Sequence, residues 1–282
     1  MNDTRDRIFR TISNVATLPT LPGVITKLNS LVDNDRSSID QMSNVISSDQ
    51  TLSARVLKLV NSPFYGFPGR VSTVSHALIL LGVNVVKGLT LSASIFELME
   101  KQAVGLWEHS LGTAVIARFI ARELGYPDLD GISTAALLHD IGKVVLKVMF
   151  IEDYNKVQFL SLSRDLPSLE IEHEILSTDH AEIGSWLAQA WNLPRKLIEP
   201  IAFHHSVERA REQKTTASIV HLADVLVKSY GFGSSGDEFV APIQQAAWEH
   251  LNLTDEKIEK LINAMEQELM EARSFSFEVQ AG

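Results

Sequence analysis

Apolar residues recur along most of this chain at the spacing of an α-helix. Asp49 is placed to cap a helix, and behind it four apolar residues share one face: Leu52, Val56, Leu59 and Val60. Two further helices are predicted over Val74–Leu81 and Val83–Phe96, separated at Gly82. Strand-like alternation with hairpin turns does not occur in the sequence. The pattern therefore predicts an all-α fold.

The N-terminal region contains weaker signals of the same kind. The span from Ile12 to Leu31 shows helical spacing after a break at Leu18-Pro19-Thr20-Leu21-Pro22. Ser37 with Asp40 resembles a capping box at the start of the next helix. The segment 64–69 is rich in aromatic, Gly and Pro residues and is predicted to be a loop.

The hydrophobic pattern changes near residue 100, where a short polar stretch interrupts the run of mostly apolar residues. Beyond residue 100, helices are predicted over Trp107–Leu124, Ala217–Val227 and Thr254–Ala272, and one helix or a pair of helices over Ile132–Met149. Another helix is predicted to begin after the N-cap Asp179. A further helix is predicted from Asn192 to His204-His205, with a kink at Pro200. We predict three parts: an N-terminal helical subdomain at 1–100, a helical subdomain at 101–235 and a C-terminal helical extension at 236–282.

Composition limits the function classes. The chain has 282 residues, of which 45% are hydrophobic and 21% charged, which is typical of a globular protein. Its formal net charge of −10 argues against general nucleic-acid binding and favours small molecules or proteins as partners. The absence of cysteine excludes disulfides and thiolate metal ligands. The sequence shows no secretory signal and no apolar run of the roughly 18 residues that span a bilayer, so we expect a cytoplasmic protein without a membrane anchor.

The most informative chemistry lies at His139-Asp140. Divalent metals bind imidazole nitrogen together with carboxylate oxygen, and a carboxylate can bridge two ions. Neighbouring side chains on a regular helix diverge by about 100°, so the pair can serve one site only near a helix end or at a wide metal centre. Gly142, two residues later, is consistent with a loosened turn.

Other candidate ligands occur on successive predicted helices. His109 shares an apolar stripe, His180 follows the Asp179 cap on another, and Asp224 interrupts an apolar run. Each alone has a structural explanation: a core histidine with satisfied hydrogen bonds, a solvated helix end for His204-His205, or a capping or ion-paired Asp224. One binuclear metal site explains all seven together. The remaining histidines are interpreted as structural: His76, His173, His221 and His250.

These residues resemble the metal-binding motif of the HD superfamily of phosphohydrolases. Upstream segments resemble the HDOD domain, an HD-related output domain of bacterial signalling proteins: Leu18-Pro19-Thr20-Leu21-Pro22, Ile46-Ser47-Ser48-Asp49-Gln50, Val60-Asn61-Ser62-Pro63-Phe64-Tyr65-Gly66 and Leu80-Leu81-Gly82. The resemblance covers roughly residues 12 to 230. It implies an all-helical fold in which an N-terminal bundle packs on an HD-like bundle.

The resemblance also implies a cofactor of two divalent ions, with Fe, Mn or Ni favoured over Zn. By analogy, one ion would bind His109, His139, Asp140 and Asp224, and the other His180, His204 and His205, with Asp140 bridging. Asp140 and Lys143 would then serve hydrolysis of a phosphoester or nucleotide, although Lys143 could equally be an exposed helix lysine. The cyclic-di-nucleotide phosphodiesterases of the HD-GYP group have Gly-Tyr-Pro after the paired histidines. Ser206-Val207-Glu208-Arg209 stands there instead, which argues against cyclic-di-GMP hydrolysis.

Two other functions are compatible with the same residues. The chain could be a catalytically inert module that binds a signalling partner protein, with a structural metal or none. It could also hold an iron-dependent redox or oxygen-using site, as some HD proteins do. Metal content and an optical spectrum would separate these alternatives from a phosphohydrolase.

Overall fold

The computed structural model describes residues 3–13, 27, 39–62, 65 and 70–280, and its regular structure there is entirely helical. In chain order the helices are α1 (Asp3–Ser13), α2 (Ile39–Ser47), α3 (Gln50–Val60), α4 (Val74–Leu81), α5 (Val83–Gln102), α6 (Leu106–Glu123), α7 (Leu129–Leu138), α8 (Ile141–Met149), α9 (Ile151–Arg164), α10 (Ser168–Leu176), α11 (His180–Ala190), α12 (Arg195–Phe203), α13 (Lys214–Tyr230), α14 (Gln245–His250) and α15 (Asp255–Gln280). A short 3₁₀ helix covers Val207–Arg209. The all-α prediction is confirmed.

Local signals account for several helix ends. Asp49 caps α3 by accepting a hydrogen bond from the N–H of Leu52, and Asp179 caps α11 by accepting one from Glu182. Both predicted caps are confirmed. Gly82, with φ of +80°, separates α4 from α5 as predicted.

Other boundaries differ from those predicted. Helix α5 extends to Gln102, α15 extends to Gln280, and α12 ends one residue before the His204-His205 pair. Helices α1, α9, α10 and α14 were not predicted. Helix α9 leaves Ile151, Phe159 and Leu162 more than half exposed, so its apolar residues do not form a single inward stripe. The Leu18–Pro22 motif, Ser37 and most of segment 64–69 lie outside the described residues.

One apolar core joins the N-terminal helices to the helices that carry the candidate ligands. Helices α3 and α4 pack on α5, which in turn packs against α7 and α8. Helix α6 lies against α7, α13 and α15, while α11 packs between α8, α12 and α1. Within the described part of the chain, no helix is both long and apolar enough to cross a membrane. The divisions at 100/101 and 235/236 stay predictions.

Candidate metal centre

The His139-Asp140 pair lies at the junction of two helices. Helix α7 ends at Leu138 and α8 begins at Ile141, and both ligand side chains are almost completely buried. The backbone of His139 is still helical, whereas that of Asp140 has left the helix with φ −95° and ψ 13°. The two side chains can therefore turn toward one site, which agrees with the prediction that the pair lies near a helix end.

A close approach of α8 to α11 brings Asp140 beside His180. A Cβ atom on Gly142 would lie 2.8 Å from the backbone nitrogen of Gly184 and well inside contact distance of the His180 carbonyl oxygen. Only glycine fits such a crossing without moving a helix. Gly142 thus sets the distance between two helices, a more specific role than the loosened turn predicted from the sequence.

The two carboxylate oxygens of Asp140 face different histidines. Oδ2 lies 3.4 Å from Nε2 of His139 and 3.7 Å from Nε2 of His109. Oδ1 lies 3.3 Å from Nε2 of His180 and 3.9 Å from Nε2 of His204. One carboxylate therefore separates two sets of imidazoles and presents one oxygen to each, as a bridging ligand would.

The structure brings all seven predicted metal ligands together. Within each of two groups the ligand atoms lie within 4.8 Å of one another: His109, His139 and Asp224 in the first group, and His180, His204 and His205 in the second. Nε2 of His109 is 3.0 Å from Oδ1 of Asp224, and the Nε2 atoms of His180 and His205 are 2.9 Å apart. These two groups have the same division as the two ligand sets implied by the family resemblance, and a third group, His139, Asp140 and His204, joins one histidine of each to the central carboxylate.

Hydrogen bonds behind the cluster orient three of the rings. Nδ1 of His139 donates to the carbonyl of Ala136 at 2.7 Å, and Nδ1 of His204 donates to that of Ile201 at 2.8 Å. Since a carbonyl can only accept, Nδ1 carries a proton in both rings, and Nε2 is the atom that points into the cluster and is available to a metal. Nδ1 of His180 is bound in the same way, 2.7 Å from Oε2 of Glu172.

Several atoms that point into the cluster are buried and unpaired. Among the described residues no hydrogen-bond partner exists for Nε2 of His139 and His204 or for Oδ1 of Asp140. Leaving such groups unsatisfied costs roughly 1–3 kcal/mol each. Bound cations would satisfy these three atoms, and nitrogen with carboxylate oxygen suits divalent transition metals. The residues therefore fit a metal.

The electrostatics of the cluster also suit cations. Burial alone would raise the pKa of Asp140, but the charges of His139 and Lys143 outweigh it and hold this pKa well below its usual value. Burial, with the neighbouring imidazoles, lowers the pKa of His204 and of His205. These carboxylate and imidazole groups are thus in the protonation states that metal ligands require.

Two histidines behave differently because they face carboxylates. Burial disfavours the imidazolium of His139, yet Asp140 and Asp224 raise its pKa to about 10. Burial is likewise overcome at His180, where Glu172 and Asp140 raise the pKa to about 9. In the metal-free protein, protons on these rings take the place of the positive charge that the carboxylates attract.

Lys143 is buried, with only 4% of its surface exposed, and its Nζ lies 2.8 Å from Oδ2 of Asp140. The alternative of an exposed helix lysine is therefore wrong. Burial opposes the ammonium charge, but Asp140 raises the pKa of Lys143 above its usual value. A permanent positive charge thus stands beside the bridging carboxylate.

Supporting residues around the cluster were not identified from the sequence. Nδ1 of His221 donates to the carbonyl of His204 at 2.8 Å, and its Nε2 accepts from the backbone N–H of Gln244 at 3.0 Å. The side-chain amide of Gln244 donates to the carbonyl of His205 at 2.6 Å. Both ring nitrogens of His221 are therefore used by the backbone, in agreement with its structural interpretation.

Glu172 was also missed, because its neighbours Glu170 and Glu174 are exposed and the segment looks like a solvated acidic face. A signal was present in the sequence. Glu172 falls four residues from both Ser168 and Leu176, and all three lie on the buried side of α10.

The fold defines an all-helical protein over the described residues. The family model of the HDOD domain matches residues 18–207, about two thirds of the chain. The chain belongs to the HDOD domain family, as the sequence motifs predicted.

Several solved structures are similar over nearly the whole chain. An HDOD domain protein of unknown function from Geobacter sulfurreducens is 26% identical with a TM-score of 0.72, covering 98% of both chains. A Shewanella amazonensis SB2B protein whose name suggests a phosphohydrolase is 22% identical with a TM-score of 0.65, covering 95% of this chain and 97% of its own. A Marinobacter aquaeolei VT8 protein whose name suggests a signal-transduction role is 20% identical with a TM-score of 0.70, covering 99% of this chain and 66% of its own. The last two likenesses support the fold alone.

A curated relative extends beyond the matched region. An uncharacterised protein of Treponema pallidum (strain Nichols) is 29% identical over 216 residues, which is 75% of this chain and 42% of the relative. The chain therefore spans less than half the length of this relative.

Proposed function

We propose that this HDOD chain binds two divalent metal ions in its His–Asp cluster and hydrolyses a phosphoester or nucleotide as part of bacterial signal transduction. The observation that carries the proposal is the position of Asp140, whose oxygens face two separate groups of histidines at 3.3 to 3.9 Å. A mononuclear site would not need a carboxylate shared in this way.

The residues divide between two ions. His109, His139 and Asp224 would hold the first, His180, His204 and His205 the second, and Asp140 would bridge. When bound, such ions supply Lewis acidity, which activates a water molecule and offsets negative charge on phosphoryl oxygens. The family resemblance favours Fe, Mn or Ni over Zn, and the imidazole and carboxylate ligands are compatible with these ions.

The protein itself orients the ligands and controls access. Lys143 holds Oδ2 of Asp140 at 2.8 Å and adds positive charge where a phosphoryl group would approach. His205 is the ligand of the cluster that is partly exposed, whereas the other six are buried. We infer that a phosphoester approaches from the side of His205 and that the apolar core excludes bulk water from the remainder of the site.

Metal analysis and turnover assays test this proposal. Protein purified without chelators should contain about two ions per chain, and it should hydrolyse generic phosphodiesters or nucleotides when Mn²⁺ or Fe²⁺ is supplied. Asp140→Ala removes the bridge and should abolish turnover. Exposed Asp165 on the C-cap of α9 offers a matched control, since Asp165→Ala should leave activity unchanged. Turnover no higher than that of the Asp140→Ala protein would eliminate the enzymatic proposal.

A second candidate function is supported by the burial of the cluster. Side-chain exposure is 1% at His109, 0% at His139 and 0% at His204, and closed sites are typical of structural metals. The chain would then be a catalytically inert module that binds a signalling partner protein. Metal that raises the unfolding temperature without any turnover would favour this function. An absorption band of a di-iron centre would instead favour the redox or oxygen-using alternative.

A further inference from the structure

The two groups of ligands differ in negative charge. The first group contains Asp224, which is buried and lies 3.0 Å from Nε2 of His109. The second consists of three imidazoles, His180, His204 and His205, and has no carboxylate of its own. With Asp140 shared, an ion in the second group would face less negative charge than an ion in the first.

A buried carboxylate stands directly behind the second group. Glu172 is fully buried, and its Oε2 accepts hydrogen bonds from both the backbone N–H of His180, at 2.8 Å, and its Nδ1, at 2.7 Å. Oε1 of Glu172 has no hydrogen-bond partner among the described residues. A buried carboxylate with one unpaired oxygen is costly unless positive charge lies nearby.

The other oriented rings of the cluster have neutral partners. His139 and His204 donate from Nδ1 to backbone carbonyls, those of Ala136 and Ile201. Of these three rings, His180 is thus the one whose Nδ1, on the side away from the cluster, is bound to a carboxylate. A carboxylate at Nδ1 increases the basicity of Nε2, which strengthens its bond to a metal ion.

We propose that Glu172 is a positioning residue that supplies, through the His180 ring, the negative charge that the second metal ion requires. This inference rests on the proposed binuclear site. It predicts that the charge of Glu172 matters more than its shape, and that its effect is confined to one of two ions. A merely structural role would affect both ions, or stability alone.

The variant Glu172→Gln tests the charge, since the amide keeps the size and an oxygen that can accept from His180. Glu170→Gln is the matched control, because Glu170 is exposed on the same helix two residues away. Binding of Mn²⁺ and Co²⁺ is measured by calorimetry and metal analysis, and the Co²⁺ absorption spectrum reports the ligand environment. Circular dichroism establishes that each protein is folded.

We expect the wild type and Glu170→Gln to bind two ions, and Glu172→Gln to retain one while affinity for the other falls about 10- to 100-fold. Two ions bound equally well by Glu172→Gln would overturn this inference alone. Fewer than two ions in the wild type would overturn the binuclear site and this inference with it. Should the Gln protein not fold, Glu172→Asp withdraws the carboxylate by one methylene. Weaker binding of one ion then supports the inference, and unchanged binding overturns it.

Discussion

Gly142→Ala should separate the two halves of the cluster without altering any ligand. The added methyl would lie 2.8 Å from the nitrogen of Gly184, whereas ordinary contacts of a Cβ begin at 3.4 Å. The His180 carbonyl oxygen would lie closer still, so helices α8 and α11 must move apart by more than about 0.6 Å. The backbone on both sides of this contact cannot yield as a flexible side chain would.

The displacement exceeds what metal coordination allows. Bond lengths in metal sites vary by only about 0.2 Å, so Asp140 can no longer serve both groups once α11 shifts. We expect Gly142→Ala to lose one of the two ions. Crowding in a packed interior costs about 1–3 kcal/mol, while Ala in place of a helical Gly recovers up to about 1 kcal/mol. Because the nearest atoms on the facing helix are backbone, the loss of stability in the metal-free protein should lie at or above the upper end of this range, about 3 kcal/mol.

Metal stoichiometry by calorimetry and chemical denaturation measure the two effects separately. Gly184→Ala on the facing helix is the control, since its methyl would meet the Ile201 side chain at 3.0 Å and the nitrogen of Gly142 at 3.3 Å. A smaller shift accommodates these contacts, so two ions should still bind. Unchanged stoichiometry and affinity in Gly142→Ala would refute the link between this helix crossing and the bridging carboxylate.

Three further predictions concern charge and support around the cluster. The pKa values of His139 and His180, about 10 and 9, lie above the roughly 6.5 of an unfolded chain. The protonated forms of these two histidines therefore stabilise the metal-free protein fully below pH 6.5, and this stabilisation is lost as the pH rises through 9 to 10. Metal affinity should rise over the same pH range. Denaturation and calorimetry at several pH values can check both effects. Lys143→Met removes one of the positive charges beside buried Asp140 while His139 and His180 remain, so it should cost less than the about 3–5 kcal/mol of a fully broken buried pair in the metal-free protein, and less again when metal is present, by the same denaturation assay. Gln244→Ala removes two hydrogen bonds, one donated to the carbonyl of His205 and one accepted from the N–H of Val207, and should cost about 1–3 kcal/mol, with weaker binding of one ion; equal affinity in the variant would contradict this role.

Much of this site could be predicted from sequence because its parts are local signals. His109 and His180 lie on apolar stripes, and Asp224 interrupts another, so their burial follows from helical periodicity alone. The family resemblance supplied the order in which the ligands are grouped. The HDOD family was predicted from the resemblance of sequence motifs, and the all-α fold from helical periodicity.

What the sequence did not predict depends on contacts between distant helices. Gly142 and Gly184 are 42 positions apart, and nothing local indicates that their backbones touch. In the sequence, Glu172 looks like the exposed glutamates on either side of it. Its contact with His180 is apparent only in the folded chain, where α10 lies beside that residue. Periodicity alone does not decide whether Lys143 is exposed or buried. Its burial is explained by Asp140, because the carboxylate pairs with the buried ammonium group.

The enclosure of the cluster has a consequence for how it would acquire its metal. Its ligands come from helices already fixed by the apolar core, so the cage does not need an ion in order to form. Because His205 is the ligand that reaches solvent, an ion held by the deeper ligands His109, His139 and Asp224 would exchange slowly, through brief local opening of the chain. Occupancy would then reflect which metal was abundant when the protein was loaded, and a wrongly incorporated ion would be replaced slowly.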